Sequence, residues 1–211
     1  MKVLSVMTAQ QRNLRYALKM GAFLLLGIAL LPSSGRAQAP VFEITPVESA
    51  INFEVDASVS IKGKFDKWDA SLKFNSTDLA TGVLDIKIQA DSVDTGSGTK
   101  NGKLKGKDFF NVKENPYITF KSTKIVQTGP MTFDVLGTFT IRGVSKPETL
   151  KLDLSGDRAA GKGAIKGIMA FDRKQYGMNS GIPFIKIADR VEVTVDMKLK
   201  RVSGPPVNLK Q

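Results

Sequence analysis

The sequence predicts an all-β protein of about eight antiparallel strands, folded as a barrel or as a sandwich. Apolar and polar residues alternate with a period of two in one segment after another, which is typical of half-buried strands. Short turn-forming stretches separate these segments, and no convincing long amphipathic helix occurs. Alternation alone does not choose between the two architectures, although a barrel removes the exposed edges that an open sheet must protect.

The clearest alternation lies in a hairpin predicted over Met131–Leu154. Apolar residues from Phe133 to Ile141 share one parity, with Leu136 as the one break, and polar residues take the other parity. After a turn predicted over residues 142–147, apolar residues resume at every second position from Leu150 to Leu154. This pattern indicates an antiparallel pair with one face toward the core and one toward solvent.

The same pattern predicts the other strands. The segments before the hairpin are Phe42–Ile44, Ile51–Val55, Ile61–Phe65, Trp68–Phe74, Leu84–Ile88 and Tyr117–Val126, and those after it are Gly163–Phe171 and Val191–Leu199. The apolar parity changes between Phe65 and Trp68, which predicts a bulge or a turn at that point.

Three stretches of the chain lack the alternation, and one of them is the irregular segment from Arg173 to Asp189. Residues 91–115 are rich in Gly, Ser, Thr, Asn and Lys, and predict a long connection with one short helix within residues 96–112; connections of this length are often functional. A basic cluster in it is either a solubilising loop or a surface for transient contact with an anionic membrane. The cluster consists of Lys100, Lys103, Lys105 and Lys107. Residues 204–211, with Gly204-Pro205-Pro206, predict a loose C-terminal tail.

The first 37 residues have the organisation of a secretory signal peptide. Arg12, Arg15 and Lys19 precede an uncharged apolar run from Gly21 to Leu31, and small residues follow before Ala37. The run is too short to span a bilayer comfortably, since spanning takes about 20 residues. We expect cleavage after Ala37, a domain over residues 38–203, and a periplasmic location in a Gram-negative cell.

Composition excludes several classes of site. Cysteine is absent, which excludes disulfides, thiolate nucleophiles and metal–thiolate sites, and histidine, the commonest general base and metal ligand, is absent too. We therefore expect no enzyme, no metal and no cofactor. The formal charge is +11, but the first 37 residues carry five basic residues and no acid, so that 11 − 5 leaves +6. So modest an excess on an exported chain argues against nucleic-acid binding.

A set of short motifs, in order and at matching spacing, is more specific than any of these patterns. The motifs are Gly63-Lys64-Phe65, Ser92-Val93-Asp94-Thr95, Leu104 with Asp108-Phe109-Phe110, Pro116-Tyr117-Ile118-Thr119-Phe120, Gly137 with Ile141-Arg142-Gly143-Val144-Ser145-Lys146-Pro147, Phe171-Asp172-Arg173 and Tyr176-Gly177-Met178. Together they make the chain resemble the YceI-like family of secreted bacterial proteins over Phe42 to Lys200.

The resemblance implies an extended, lipocalin-like antiparallel β-barrel whose lumen holds a polyisoprenoid lipid, such as an isoprenoid quinone or a polyprenyl lipid. A barrel of about eight strands can just enclose one small ligand. The side chains expected to bind the ligand are those of Phe53, Val55, Phe74, Leu84, Ile86, Phe109, Phe110, Ile118, Phe120, Phe133, Val135, Phe139, Leu152, Ile165, Met169 and Val193. The chain departs from the family at Asn101-Gly102-Lys103-Leu104, where many members carry an acidic-x-His-Leu stretch.

Two hypotheses for the function lead at this point, and a third, a hydrolase or isomerase in which a carboxylate or lysine carries out all proton transfer, ranks last. The first is a non-catalytic carrier or sequestering protein for a polyisoprenoid lipid, with the tail buried in the lumen. The second is an envelope interaction or stress protein that acts through its loops, since the same apolar side chains would also fill an ordinary core. A homodimer is left open. Arg142, Arg173 and Arg190 are expected to be turn-stabilising cations rather than head-group ligands, because isolated charged loop residues are mostly solvated.

Overall fold

The computed structural model describes residues 38–58, 60–157, 160–181 and 186–210. The predicted signal peptide lies outside the described residues and stays a prediction. No helix in the described part of the chain is both long enough and apolar enough to cross a membrane.

The described residues form eleven strands and one α-helix. The strands are β1 (Val41–Ile44), β2 (Ala50–Ala57), β3 (Ile61–Phe65), β4 (Trp68–Lys73), β5 (Val83–Gln89), β6 (Val93–Asp94), β7 (Tyr117–Gln127), β8 (Thr132–Ile141), β9 (Val144–Asp157), β10 (Lys162–Asp172) and β11 (Ile187–Ser203). The helix α1 (Gly98–Lys105) lies within the connection where a short helix was predicted. Single turns of 3-10 helix span Pro46–Glu48, Leu79–Thr81, Ala90–Ser92 and Arg173–Tyr176.

Antiparallel pairing closes eight of the described strands into a barrel. The ring runs β1-β4-β5-β7-β8-β9-β10-β11, and β11 pairs back with β1. The long strand β11 pairs with β10 along one edge, and along the other edge with β2 first and then with β1. Strands β2, β3 and β6 lengthen the wall at one end. The barrel, rather than the sandwich, is therefore the correct architecture.

The predicted parity change between Phe65 and Trp68 is confirmed. Strand β3 ends at Phe65 and pairs with β6, whereas β4 begins at Trp68 and pairs with β5. Strand β6, which sequence alternation did not predict, is only two residues long and too short to show a period.

The hairpin of β8 and β9 has a tighter turn than the sequence predicted. Ile141 pairs with Val144, so that only Arg142 and Gly143 form the turn, both with positive φ (56° and 75°). Two left-handed residues are the requirement of a type I′ turn, which matches the twist of the strands. The predicted turn over residues 142–147 is wrong because Pro147 lies within β9, at a point where β8 is its only paired neighbour among the described strands. Proline is tolerated at such an edge position.

The C-terminal residues, for which composition predicted a loose tail, are hydrogen-bonded to the barrel. Asn208 bonds to Thr77, and Lys210 bonds to Gln127. We call residues 204–210 the C-terminal strap.

Candidate functional site

The lumen contains two apolar cavities at opposite ends of the barrel. The tail-side cavity, next to the C-terminal strap, has a volume of about 120 Å³. The helix-side cavity, next to α1, has a volume of about 70 Å³. Of the residues predicted to bind ligand, Phe74, Leu84, Phe133, Leu152 and Ile165 line the tail-side cavity. Phe53, Val55, Phe109, Phe110, Ile118, Phe139 and Val193 line the helix-side cavity.

A packed waist separates the two cavities. Strand β5 shows the arrangement, because Leu84 lines the tail-side cavity, Ile88 lines the helix-side cavity, and Ile86 lies between them and lines neither. The other predicted site residues that line neither cavity are Phe120, Val135 and Met169, all of them buried. The lumen is therefore divided, rather than open as one elongated void.

Two glycines allow the side chains of the waist to pack closely. A Cβ atom at Gly137 would lie 2.6 Å from Cζ of Phe120, so the ring lies directly over the glycine. A Cβ atom at Gly167 would likewise lie 2.5 Å from Cγ2 of Val195. These contacts are closer than side-chain carbon allows, so any larger residue at either glycine would displace the waist.

Aromatic rings close the helix-side end. The connection after α1 places Phe109 and Phe110 in the barrel mouth, where both are buried. The Phe110 ring lies 5.9 Å from Phe65 and 6.5 Å from Phe53, measured between centroids. These are ordinary distances for packed aromatic pairs, so the connection acts as a plug that belongs to the core.

Arg173 holds the loop beside this cavity. Its side chain is 8% exposed, its Nε donates to the Ala188 carbonyl at 3.0 Å, and its Nη1 donates to the carbonyls of Met178 and Ser180. Its Nη2 lies 3.2 Å from Oδ1 of Asp189. Arg173 therefore stabilises this turn, as the sequence predicted, but it does so from a buried position rather than as a solvated cation, because its five donors suit a cluster of loop carbonyls.

Tyr176 completes the wall where β9 and β10 separate. Its fully buried ring packs against Phe139 and Phe171, with centroids 5.6 and 5.2 Å away. Its hydroxyl donates to Oε1 of Glu148 at 2.8 Å. Burial raises the pKa of the Tyr176 phenol, and the neighbouring Glu148 raises that pKa further. The tyrosine was visible in the sequence only as part of the Tyr176-Gly177-Met178 motif.

The basic cluster lies on and just after α1, beside the helix-side mouth. Nζ of Lys103 lies 3.0 Å from Oδ2 of Asp108. This hydrogen bond lowers the pKa of the Asp108 carboxyl below its ordinary value. No group of three or more residues that could hold a metal ion is found among the described residues.

Comparisons with known proteins agree with this architecture. Residues 42–199 match the family model of the YceI-like domain. A UPF0312 protein of Pseudomonas aeruginosa is 32% identical over 139 residues, which are 64% of this chain and 72% of that protein. A UPF0312 protein of Vibrio parahaemolyticus is 29% identical over 134 residues, 62% of this chain and 71% of that protein.

Three solved structures are similar in fold. The Campylobacter jejuni YceI protein is 25% identical with a TM-score of 0.57, covering 68% of this chain and 86% of that one. Burkholderia cenocepacia BcnA is 24% identical with a TM-score of 0.67, covering 74% and 99%. A polyisoprenoid-binding domain from Saccharophagus degradans is 16% identical with a TM-score of 0.59, covering 77% and 99%. The last two, below 25% identity, show the fold alone.

Proposed function

Because the chain belongs to the YceI-like family, we propose that it is a non-catalytic carrier or sequestering protein for a polyisoprenoid lipid in the periplasm. The lipid is of the isoprenoid-quinone or polyprenyl type. Its tail lies in the lumen, and its head group lies at the helix-side mouth, near the basic cluster. Transient contact of that cluster with an anionic membrane surface would allow the lipid to be exchanged.

The observation that carries this proposal is the apolar lining of both end cavities. A hydrocarbon tail needs no hydrogen-bonding partner, and its burial yields about 25 cal/mol per Å² of apolar surface. The related fold of a domain described as polyisoprenoid-binding points to the same class of ligand.

The size of the cavities adds a mechanical requirement. The tail-side cavity, at about 120 Å³, is smaller than the pockets of about 300–1,000 Å³ that hold drug-sized ligands. A long tail therefore requires the waist to open, and the ring of Phe120 would have to turn away from Gly137.

The packed waist also favours a second candidate function, an envelope interaction protein with a filled barrel. Under that hypothesis the cavities are ordinary packing defects, and the loops contact a partner.

Mass spectrometry of an organic extract of the purified mature protein separates the two functions. The carrier should yield a stoichiometric prenyl lipid, either as purified or after incubation with a long-chain isoprenoid quinone. An extract that stays free of lipid after that incubation would contradict the carrier and favour the filled barrel.

Substitution at the waist provides a second test. Phe120→Trp should weaken binding of the quinone by roughly tenfold, because overpacking a waist that must open costs about 1–3 kcal/mol. Leu136→Trp is the matched control, since Leu136 lies on the outer face of the neighbouring strand β8 and is 40% exposed. Equal quinone affinity for the two variants would count against a tail that passes the waist.

A further inference from the structure

The C-terminal strap crosses the tail-side mouth of the barrel. It follows directly on β11 and reaches Gln127, the last residue of β7. In the ring of eight described strands, β7 lies four strands away from β11 in either direction. The two strands are therefore opposite each other, and the strap spans the opening from one side to the other.

Hydrogen bonds hold the strap on the far side of the mouth. The backbone N–H of Lys210 donates to Oε1 of Gln127, and Nε2 of Gln127 donates to the Lys210 carbonyl, both at 2.8 Å. The backbone N–H of Asn208 donates to the Thr77 carbonyl at 2.8 Å, and Nδ2 of Asn208 donates to Oγ1 of Thr77 at 3.1 Å.

The near end of the strap has a defined direction. Gly204 has a φ of 78°, and a Cβ atom there would lie 2.4 Å from the Ala39 carbonyl oxygen. Only glycine fits this turn. Pro205 and Pro206 then restrict the backbone, so that the strap leaves β11 along one path.

Two aliphatic residues of the strap face the lumen. Val207 and Leu209 are half-buried and line the tail-side cavity, whereas Asn208 and Lys210 are exposed. The strap lies beyond Leu199, where the match to the family model ends. It is therefore an addition to the matched barrel that supplies part of the wall of one cavity.

We propose that the C-terminal strap determines the length of hydrocarbon tail that the barrel accepts. It covers the tail-side mouth, so that a short tail held in the lumen ends against Val207 and Leu209. A longer tail must displace the strap. This inference deepens the proposed function and rests on it for the nature of the ligand.

The strap is suited to opening without unfolding the barrel. Its side chains are only half-buried, and its bonds to Gln127 and Thr77 lie at exposed positions. Segments with few buried contacts and solvent-accessible hydrogen bonds open locally at a small fraction of the global free energy of unfolding.

Thiol labelling tests the closure without any ligand. The chain has no cysteine, so Leu84→Cys and Ile88→Cys each introduce a single thiol on the same face of β5, one in each cavity. Deletion of residues 204–211 should accelerate labelling at position 84 by roughly tenfold, through the loss of several hydrogen bonds, and leave position 88 unchanged. Equal labelling rates at position 84 with and without the strap would overturn the closure.

A point substitution tests the same closure if the strap-deleted protein fails to fold. Leu209→Asp places a carboxylate against an apolar cavity, which expels the strap because an unpaired buried charge is costly. Lys210→Asp places the same side chain one position along, on the outward face. Only Leu209→Asp should accelerate labelling at position 84, and equal effects of the two variants would contradict the proposal.

Binding of two probes tests the selection of tail length. The two probes are farnesol, a short prenyl alcohol, and a long-chain isoprenoid quinone. The ratio of farnesol affinity to quinone affinity should be higher for wild-type protein than for the strap-deleted protein. The deletion, or Leu209→Asp, should shift the affinity ratio toward a long-chain isoprenoid quinone by roughly tenfold. An unchanged ratio, with both probes bound, would overturn the length selection and leave the proposed function intact. Failure of wild-type protein and strap variants alike to bind either probe would overturn the proposed function and the length selection with it.

Discussion

The two ends of the barrel are closed by different physical means. At the helix-side end, an internal connection inserts Phe109 and Phe110 among other aromatic rings. The ring centroids of Phe53 and Phe65 lie 5.5 Å apart, and those of Phe139 and Phe171 lie 5.1 Å apart. At the tail-side end, the cavity wall is mostly aliphatic, its aromatic pair is Phe42 and Phe74 at 5.8 Å, and the cover is the half-buried strap.

The helix-side plug is part of the hydrophobic core, whereas the strap lies on the surface of the core. The helix-side plug is buried, and the loop beside it is held by the buried guanidinium of Arg173. The strap contributes two half-buried aliphatic side chains and several exposed hydrogen bonds. Perturbing the helix-side end should therefore destabilise the whole protein, whereas perturbing the tail-side end should mainly change access to one cavity.

The largest effect is expected at the plug. Phe110→Ala should lower the free energy of unfolding by about 3–5 kcal/mol, because it removes a buried ring and leaves a cavity. Urea denaturation measures the loss. Val47→Ala is the control, since Val47 is 95% exposed and should change stability by less than about 0.5 kcal/mol. A loss at Phe110 as small as that at Val47 would show that the plug is not part of the core.

Removal of the Arg173 cation should cause the second-largest loss of stability. Arg173→Met keeps much of the side-chain volume but leaves the carbonyls of Met178, Ser180 and Ala188 without their donor, at a cost of about 3 kcal/mol. Arg201→Met, at the tail-side cavity, is the matched control and should cost less than about 1 kcal/mol. Equal unfolding midpoints for the two variants would remove the distinction between the ends.

A smaller effect is expected at the Tyr176 hydroxyl. Tyr176→Phe should cost about 1–2 kcal/mol near neutral pH, because the hydrogen bond to Glu148 is lost. The folded-state pKa of Tyr176 is raised, so the stability associated with it is fully present below the unfolded value of about 10. That stability is lost as the pH rises through the folded value.

Unfolding measured across the alkaline range checks this linkage. The stability difference between wild type and Tyr176→Phe should be constant below about pH 10 and should shrink above it. The lysines titrate in the same range but are common to both proteins, so their contribution cancels in the difference. A difference independent of alkaline pH would refute the linkage.

The smallest effect on stability is expected at the strap. Leu209→Ala should lower the free energy of unfolding by about 1 kcal/mol, since a half-buried leucine loses only part of its transfer free energy. The same substitution should nevertheless raise thiol labelling at position 84. A loss as large as that of Phe110→Ala would make the two closures equivalent.

Much of the strand content could be predicted because each strand shows its own alternation of apolar and polar residues. The alternation of Phe133, Val135 and Phe139 against threonines reports which side chains of β8 face inward, and the structure confirms all three as buried. The turn was predicted too long, since Pro147 in a strand contradicts the usual propensity until its edge position is known.

For the cavities, the sequence predicted which side chains face inward, but not which of them line a cavity. Phe120 and Ile118 share one face of β7 and could not be told apart in sequence, yet Ile118 lines a cavity and Phe120 fills the waist. The difference arises from Gly137 on the neighbouring strand, a contact between residues distant along the chain. The hydrogen bonds of the strap could not be predicted for the same reason, because Thr77 and Gln127 lie far from residues 204–210 along the chain.

By itself, the amino-acid sequence determined that this is an antiparallel β protein, which face of each strand is apolar, and that the chain resembles the YceI-like family. These properties are local, since the pleat sets the alternation and short motifs carry the resemblance. Tertiary structure alone decided that the ring closes through β11 and β1, that Phe120 divides the lumen, and that residues 204–210 cover one mouth. Each of these depends on side chains and backbone groups that meet only after the strands have assembled, and no pattern along one segment encodes such a meeting.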